Sequence, residues 1–313
     1  MDLKTYQRKA KRTDQRYVKE QADPAKIVPL LGLAGETGQL LAEYKKYLRD
    51  GEAHRAFPEK VAEELGDLLW YLSTVATKFD LKLEDIAQQN LEKCKSRWDV
   101  TTDYHYLDDD YPTQERFERT MTVELIEVEE NEKIKTKAFI NGKRVGDDLT
   151  DNAYRDDGYR FHDVFHLAYV AVLGWSPVMR GLLGRKRKSN KQDDEVQDGG
   201  RAIAIEEGIT ALVFNVAEKH KFFVGIKTLD FSLLKTISGM VAQLEVCDRT
   251  YNDWQRAILL GYEVWRQVRK RKHVMLKLDM KKRTITVMGD ASAKSRKDAQ
   301  IPTVKKKSAP KRR

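Results

Sequence analysis

A chain of 313 residues with 41% hydrophobic residues is long enough for two domains with buried cores and has the composition of a soluble globular protein. Its apolar runs, such as Val164 to Leu173, are too short to span a bilayer, and its N-terminus lacks the apolar stretch of a secretory signal, so no transmembrane helix or secretory signal is expected. Cys94 and Cys247 lie far apart without metal-type spacing, and the net charge of +9 belongs mostly to a C-terminal tail, so a reducing cytoplasm is the expected compartment.

From Tyr6 to Trp98 apolar residues recur at helical spacing. An opening helix is followed by a break near Asp23-Pro24 and Pro29, then a helix from about Leu30 to Arg49. A loop through Asp50-Gly51 to Pro58 leads to a long helix from about Glu59 to Lys78 and a last helix ending near Trp98. Residues 1–100 therefore read as a small helical bundle, and residues 101–119, with Asp103, Asp108, Asp109, Asp110 and Pro112, as an acidic linker.

The period then changes from helical to alternating. Thr122 to Glu129 reads as a strand and Lys133 to Ile140 as a second, with Asn141-Gly142 a strong tight-turn signal leading toward Val145. Helical spacing resumes from Gly158 to about Gly174, from Arg201 to His220 and from Phe231 to about Lys270, with a loop from Gly184 to Gly200. A final alternating stretch, Val274 to Met288, adds a hairpin. Residues 120–288 thus form a mostly helical α+β domain with a small antiparallel sheet, and the fold class is mainly α. Residues 289–313 carry nine Lys and Arg against Asp290 and Asp298, leaving the preceding body near +2. This basic tail is expected to be disordered, either binding a polyanion such as nucleic acid in a salt-sensitive way or serving as a solubilising extension.

Chemistry concentrates first in the bundle. Glu36 and Gln39 lie three apart on one helix, and Glu63, Glu64 and Asp67 cluster on the next. Helical residues at that spacing share a face, with Cβ atoms roughly 5–6 Å apart. Two such helices side by side converge oxygen ligands on one point, which suits Mg²⁺, a hard cation that takes a few carboxylates and completes its shell with water and substrate phosphates. Gly35, Gly38 and Gly66 are costly in helix interiors and are expected to mark close helix approach.

These residues, and above all the run Glu63-Glu64-Leu65-Gly66-Asp67-Leu68-Leu69-Trp70-Tyr71-Leu72, resemble the MazG-like family of all-α nucleoside triphosphate pyrophosphohydrolases over roughly residues 25–98. The family pattern is a Glu-x-x-Glu pair followed by a Glu-x-x-Asp pair, here Glu36 with Gln39 and Glu64 with Asp67. Gln39 replaces an anionic ligand by a neutral amide, and Glu43 or Glu63 is a substitute source of charge. The resemblance implies a site for Mg²⁺, or Mn²⁺ in its place, that splits a nucleoside triphosphate into a monophosphate and pyrophosphate, with Glu63 or Glu64 as the base. It also implies that Asn90, Lys93 and Arg97 on the last helix hold the substrate's phosphates and sugar, and that the protein is a homo-oligomer. The competing reading is a catalytically weakened nucleotide sensor or nucleic-acid-associated module, which Gln39 and the basic tail favour.

A second constellation pairs His162, Asp163 and His166 with the distant Glu206 and Glu207. Histidines four apart on a helix with remote carboxylates can ligate a transition metal, or can make polar contacts where helices meet. The stretches 157–163 and 185–190 resemble a C-terminal region of longer MazG-like proteins. The basic run Arg185 to Lys188 is read as a phosphate clamp or as a solvated loop.

Overall fold

The computed structural model describes residues 1–14, 23–98, 104–130 and 133–289. They form two compact units that divide between Ser96 and Arg97. No helix among the described residues is long and apolar enough to cross a membrane.

The first unit is helical: α1 (Leu3–Thr13), α2 (Asp23–Asp50), α3 (Phe57–Lys78) and α4 (Leu83–Trp98). The Asp2 carboxylate caps α1 by accepting the Thr5 N–H at 2.6 Å. The Gln7 side chain then ties this helix to the α3–α4 corner, donating to the Leu81 carbonyl at 2.8 Å and accepting from the Leu83 N–H at 2.8 Å. Trp70 of α3 donates to Thr13 at 2.7 Å, and Lys78 pairs with Asp14 in a nearly buried ion pair. Side-chain hydrogen bonds thus hold a short helix that would be marginal alone.

Two expectations for this unit fail. The predicted break at Pro29 is absent, because α2 continues through a buried Pro29, whose ring removes one N–H from the ladder. Packing along α3 outweighs that loss. Gly35, Gly38 and Gly66 do not mark close approach, since a Cβ at any of them meets nothing within 4 Å. The tight position is Gly32, where an added Cβ falls 2.1 Å from the Tyr71 ring.

The second unit is built on one antiparallel sheet of order β3-β2-β1-β4-β5: β1 (Thr120–Glu130), β2 (Lys133–Ile140), β3 (Lys143–Leu149), β4 (His273–Asp279) and β5 (Thr284–Gly289). Asn141 and Gly142 both take positive φ, 49° and 76°, as the two-residue turn between β2 and β3 requires. The C-terminal hairpin joins the first through β1, so that the buried row Met121, Val123 and Leu125 lies opposite Leu278, Leu276 and Val274. Against this sheet packs α5 (Asp163–Leu173), in which every residue from Val164 to Leu173 is buried. Full burial of one such aliphatic side chain is worth about 1.5–3 kcal/mol, so this helix is the centre of the core.

Around α5 stand α6 (Pro177–Leu182), α7 (Lys191–Val196), α8 (Gly200–Lys219), α9 (Phe231–Met240) and α10 (Tyr251–Val268). The single long helix expected from Phe231 is two, because Thr250 and Asp253 form a reciprocal capping box that starts α10 afresh. Gly261 of α10 brings that helix against α5, where a Cβ would sit 3.1 Å from Phe165. The loop expected over 184–200 contains α7, which Asn190 caps.

The stretch expected to be a linker belongs to the second unit. Asp108 is fully buried, accepting from the Phe117 N–H at 2.8 Å and from Arg180 at 3.0 Å and pairing with Arg119 at 2.7 Å. Its charge has partners, so an acidic residue here is an anchor and not a solvated spacer. Positions 101–103 and the tail beyond Gly289 lie outside the described residues.

Candidate functional site

Helices α2 and α3 are joined by a short segment containing a 3₁₀ turn, Gly51–Ala53, that Gly51 opens at φ 55° and Tyr47 closes by stacking on Phe57 at 4.4 Å. The two helices therefore run back along one another, and the Gly32–Tyr71 contact fixes their register. One turn after Gly32 comes Glu36, and one turn before Tyr71 comes Asp67. Ligand oxygens of Glu36, Glu64 and Asp67 accordingly lie within 4.8 Å of one another. The sequence expectation of two acidic helices aimed at one point is met by these three side chains.

Electrostatics marks the cluster as short of positive charge. Burial raises the Glu64 pKa, and Glu36, which shares a hydrogen bond with it, Glu63 and Asp67 raise it further. Across the site Tyr6 of α1 has its phenol raised by burial and by the Asp67 charge. Three converging carboxylates fit a hard divalent cation.

The other predicted residues are distributed around this cluster. Gln39 is exposed one turn beyond Glu36. Glu43 is buried, with His54 at 2.9 Å and Lys46 on its two oxygens, so its charge is already spent on these partners. Glu63 is exposed and pairs with Lys60 at 2.7 Å. Asn90 and Lys93 are exposed on one stripe of α4. Arg97 groups with the second unit, its guanidinium 5.0 Å from the Phe231 ring.

With the geometry in view, the comparisons with known proteins decide the family. Residues 102–291 match the family model of the MazG C-terminal domain, and residues 29–100 match that of the MazG nucleotide pyrophosphohydrolase domain. The chain belongs to the MazG family. Over 71 residues it is 38% identical to the Gene 37 protein of Mycobacterium phage L5, a stretch that covers 22% of this chain and 62% of that protein. The MazG chain thus spans less than two thirds of that relative's length. No solved structure matches it.

In the C-terminal domain the second constellation also comes together. His162 precedes α5 and His166 lies one turn inside it, their rings 5.7 Å apart and nearly perpendicular, while Glu206 and Glu207 project from α8. Glu206 is fully buried and accepts from His166 Nδ1 at 2.8 Å, Ser176 Oγ at 2.6 Å and the Val178 N–H at 2.8 Å. Glu207 reaches the solvent-facing side of the same histidine, 3.6 Å from Nε2. Burial opposes positive charge on His166, but Glu206 and Glu207 outweigh it and push the pKa up to about 10. Sequence reasoning could not divide the tandem glutamates between these two roles, because Ser176 and Val178 come from another segment.

Two of the four basic residues in the run 185–188 are engaged inside the protein. Arg187 is fully buried and doubly paired, at 2.8 Å with Asp198 and 2.7 Å with Glu245, and Arg185 pairs with Glu118 at 3.0 Å. Those guanidiniums already have anionic partners inside the protein.

Proposed function

We propose that the N-terminal unit hydrolyses a nucleoside triphosphate between its α and β phosphates, with a divalent cation, Mg²⁺ or Mn²⁺, held by Glu36, Glu64 and Asp67. The observation that carries this reading is the convergence of those three carboxylates within 4.8 Å in a domain matching nucleotide pyrophosphohydrolases. When bound, the cation neutralises polyphosphate charge and acidifies a water molecule. Glu63 or Glu64 would accept the proton of the attacking water as the phosphoanhydride bond breaks. Asn90 and Lys93, on the exposed stripe of α4, supply donors for the phosphates and sugar. The products are a nucleoside monophosphate and pyrophosphate.

Gln39 favours a second reading, a weakened enzyme that senses nucleotide, because it removes one negative charge from the ligand pattern. Pyrophosphate release by the purified protein across a panel of nucleotides, with and without Mg²⁺, separates the two. The enzymatic reading expects release that Glu64→Gln and Asp67→Asn abolish and that Gln39→Glu preserves or increases. Release that persists in both acidic variants sinks it.

The first unit also leaves Leu31, Leu41, Leu48 and Leu65 at least half exposed. Apolar side chains gathered on one small unit support a homo-oligomer in which a second copy covers them. Exposed thiols at Cys94 and Cys247 suit a reducing, cytoplasmic setting.

A further inference from the structure

We propose that the C-terminal domain carries a transition-metal site of its own, of the zinc type, with His162 Nε2, His166 Nε2 and a Glu207 carboxylate oxygen as ligands. Donor atoms of these three residues lie within 4.8 Å of one another. Tetrahedral zinc, with bonds near 2.0–2.1 Å, sets its ligand atoms about 3.3 Å apart, and the 3.6 Å between His166 Nε2 and Glu207 is already close to that.

The tautomers follow from the partners of the other ring nitrogens. His162 Nδ1 lies 2.9 Å from the Tyr159 carbonyl, which can only accept, so Nδ1 carries the proton and Nε2 the lone pair. His166 Nδ1 faces Glu206, which accepts from it as it does from Ser176 and Val178, so Nδ1 carries a proton there too. Both rings thus direct Nε2 toward Glu207, and a metal ion would bind there in exchange for any proton that nitrogen carries. His166 Nε2 is the decisive atom: it is wholly buried and has no hydrogen-bond partner among the described residues. Its nearest group is the Glu207 carboxylate at 3.6 Å, an ion-pair distance beyond normal hydrogen-bond range, so an ion held between the two would give both a direct partner.

Glu206 is a positioning residue in this arrangement, orienting His166 as carboxylates commonly orient metal-bound histidines. Two imidazoles select a borderline ion over Mg²⁺ or Ca²⁺, which prefer oxygen. Side-chain exposure rises from none at His166 to 13% at His162 and 42% at Glu207, so the fourth coordination position opens to solvent and takes water or an anionic oxygen. Asp163, 3.9 Å from His162 Nε2, stands beside that position.

The test uses the full chain, stripped with chelator and titrated with Co²⁺, whose visible absorption is intense in a tetrahedral nitrogen-containing site and weak in an all-oxygen one. Zn²⁺ stoichiometry by elemental analysis runs in parallel. The expected result is a tetrahedral Co²⁺ spectrum that Zn²⁺ displaces, retained in Glu64→Gln and weakened at least about tenfold in affinity in Glu207→Gln and His162→Ala. Glu207 is partly exposed, so its isosteric variant is expected to melt like the parent and keeps the test valid should the histidine variant unfold. No tetrahedral spectrum in the parent, or one unchanged in Glu207→Gln, overturns the proposal. A spectrum lost only in Glu64→Gln also overturns it, by assigning the ion to the first unit.

Discussion

Tyr71 occupies the space that a side chain on Gly32 would need, its ring 2.1 Å from where a Cβ would stand. This contact holds Glu36 opposite Asp67, so the acidic cluster depends on it. An exposed helical glycine replaced by alanine ordinarily gains up to about 1 kcal/mol. At Gly32 the sign should reverse, with Gly32→Ala destabilising by about 1–3 kcal/mol as Tyr71 is displaced. Gly35→Ala and Gly66→Ala, which meet open space, should stabilise. Denaturant melts of the three variants check the order, and a Gly32→Ala melt above the parent's would refute the register.

The raised Glu64 pKa makes a statement about pH. A carboxylate whose folded pKa lies above its unfolded value binds its proton more tightly in the native state. Its contribution to stability is present below the unfolded pKa and is lost as pH rises through the folded one. At neutral pH the Glu64 carboxylate therefore opposes folding of the first unit until a cation joins it. Mg²⁺ should raise the melting temperature of the parent at pH 7 and do much less at pH 4, while in Glu64→Gln the Mg²⁺-dependent rise should shrink. Equal Mg²⁺ shifts in parent and variant would detach Glu64 from the ion.

What could be read from the sequence was local, and what was missed was the partner. Helical spacing and the Asn141-Gly142 turn announced α3, the first hairpin and the carboxylate face of Glu64 and Asp67, because each depends on neighbours within a turn. Asp108 looked like part of an acidic spacer because Arg180, which fixes it, stands 72 residues away. Arg187 looked like a solvated or phosphate-binding charge for the same reason, its partner Glu245 being 58 residues on. Glu206 and Glu207 are indistinguishable as a string, and only the Ser176 and Val178 donors assign one to support and the other to the open side. Pro29 carried a genuine breaking signal that tertiary packing overrode.

Those long-range pairs set the last expectation, for the basic run of the C-terminal domain. Arg187 and Asp198 are both sealed from solvent, and the guanidinium also forks onto Glu245 at 2.7 and 2.8 Å. Removing one member of a buried pair leaves the other charge without compensation, at a cost of about 3–5 kcal/mol. Arg187→Met should therefore lower the stability of the C-terminal domain by that order, whereas Lys188→Ser, at an exposed position, should stay within about 0.5 kcal/mol of the parent. A phosphate-binding role predicts the opposite pattern, in which both variants melt like the parent and both lose affinity for nucleotide or RNA. Chemical denaturation followed by tryptophan fluorescence reads the change directly, since Trp175, Trp254 and Trp265 are all buried in the core of that domain.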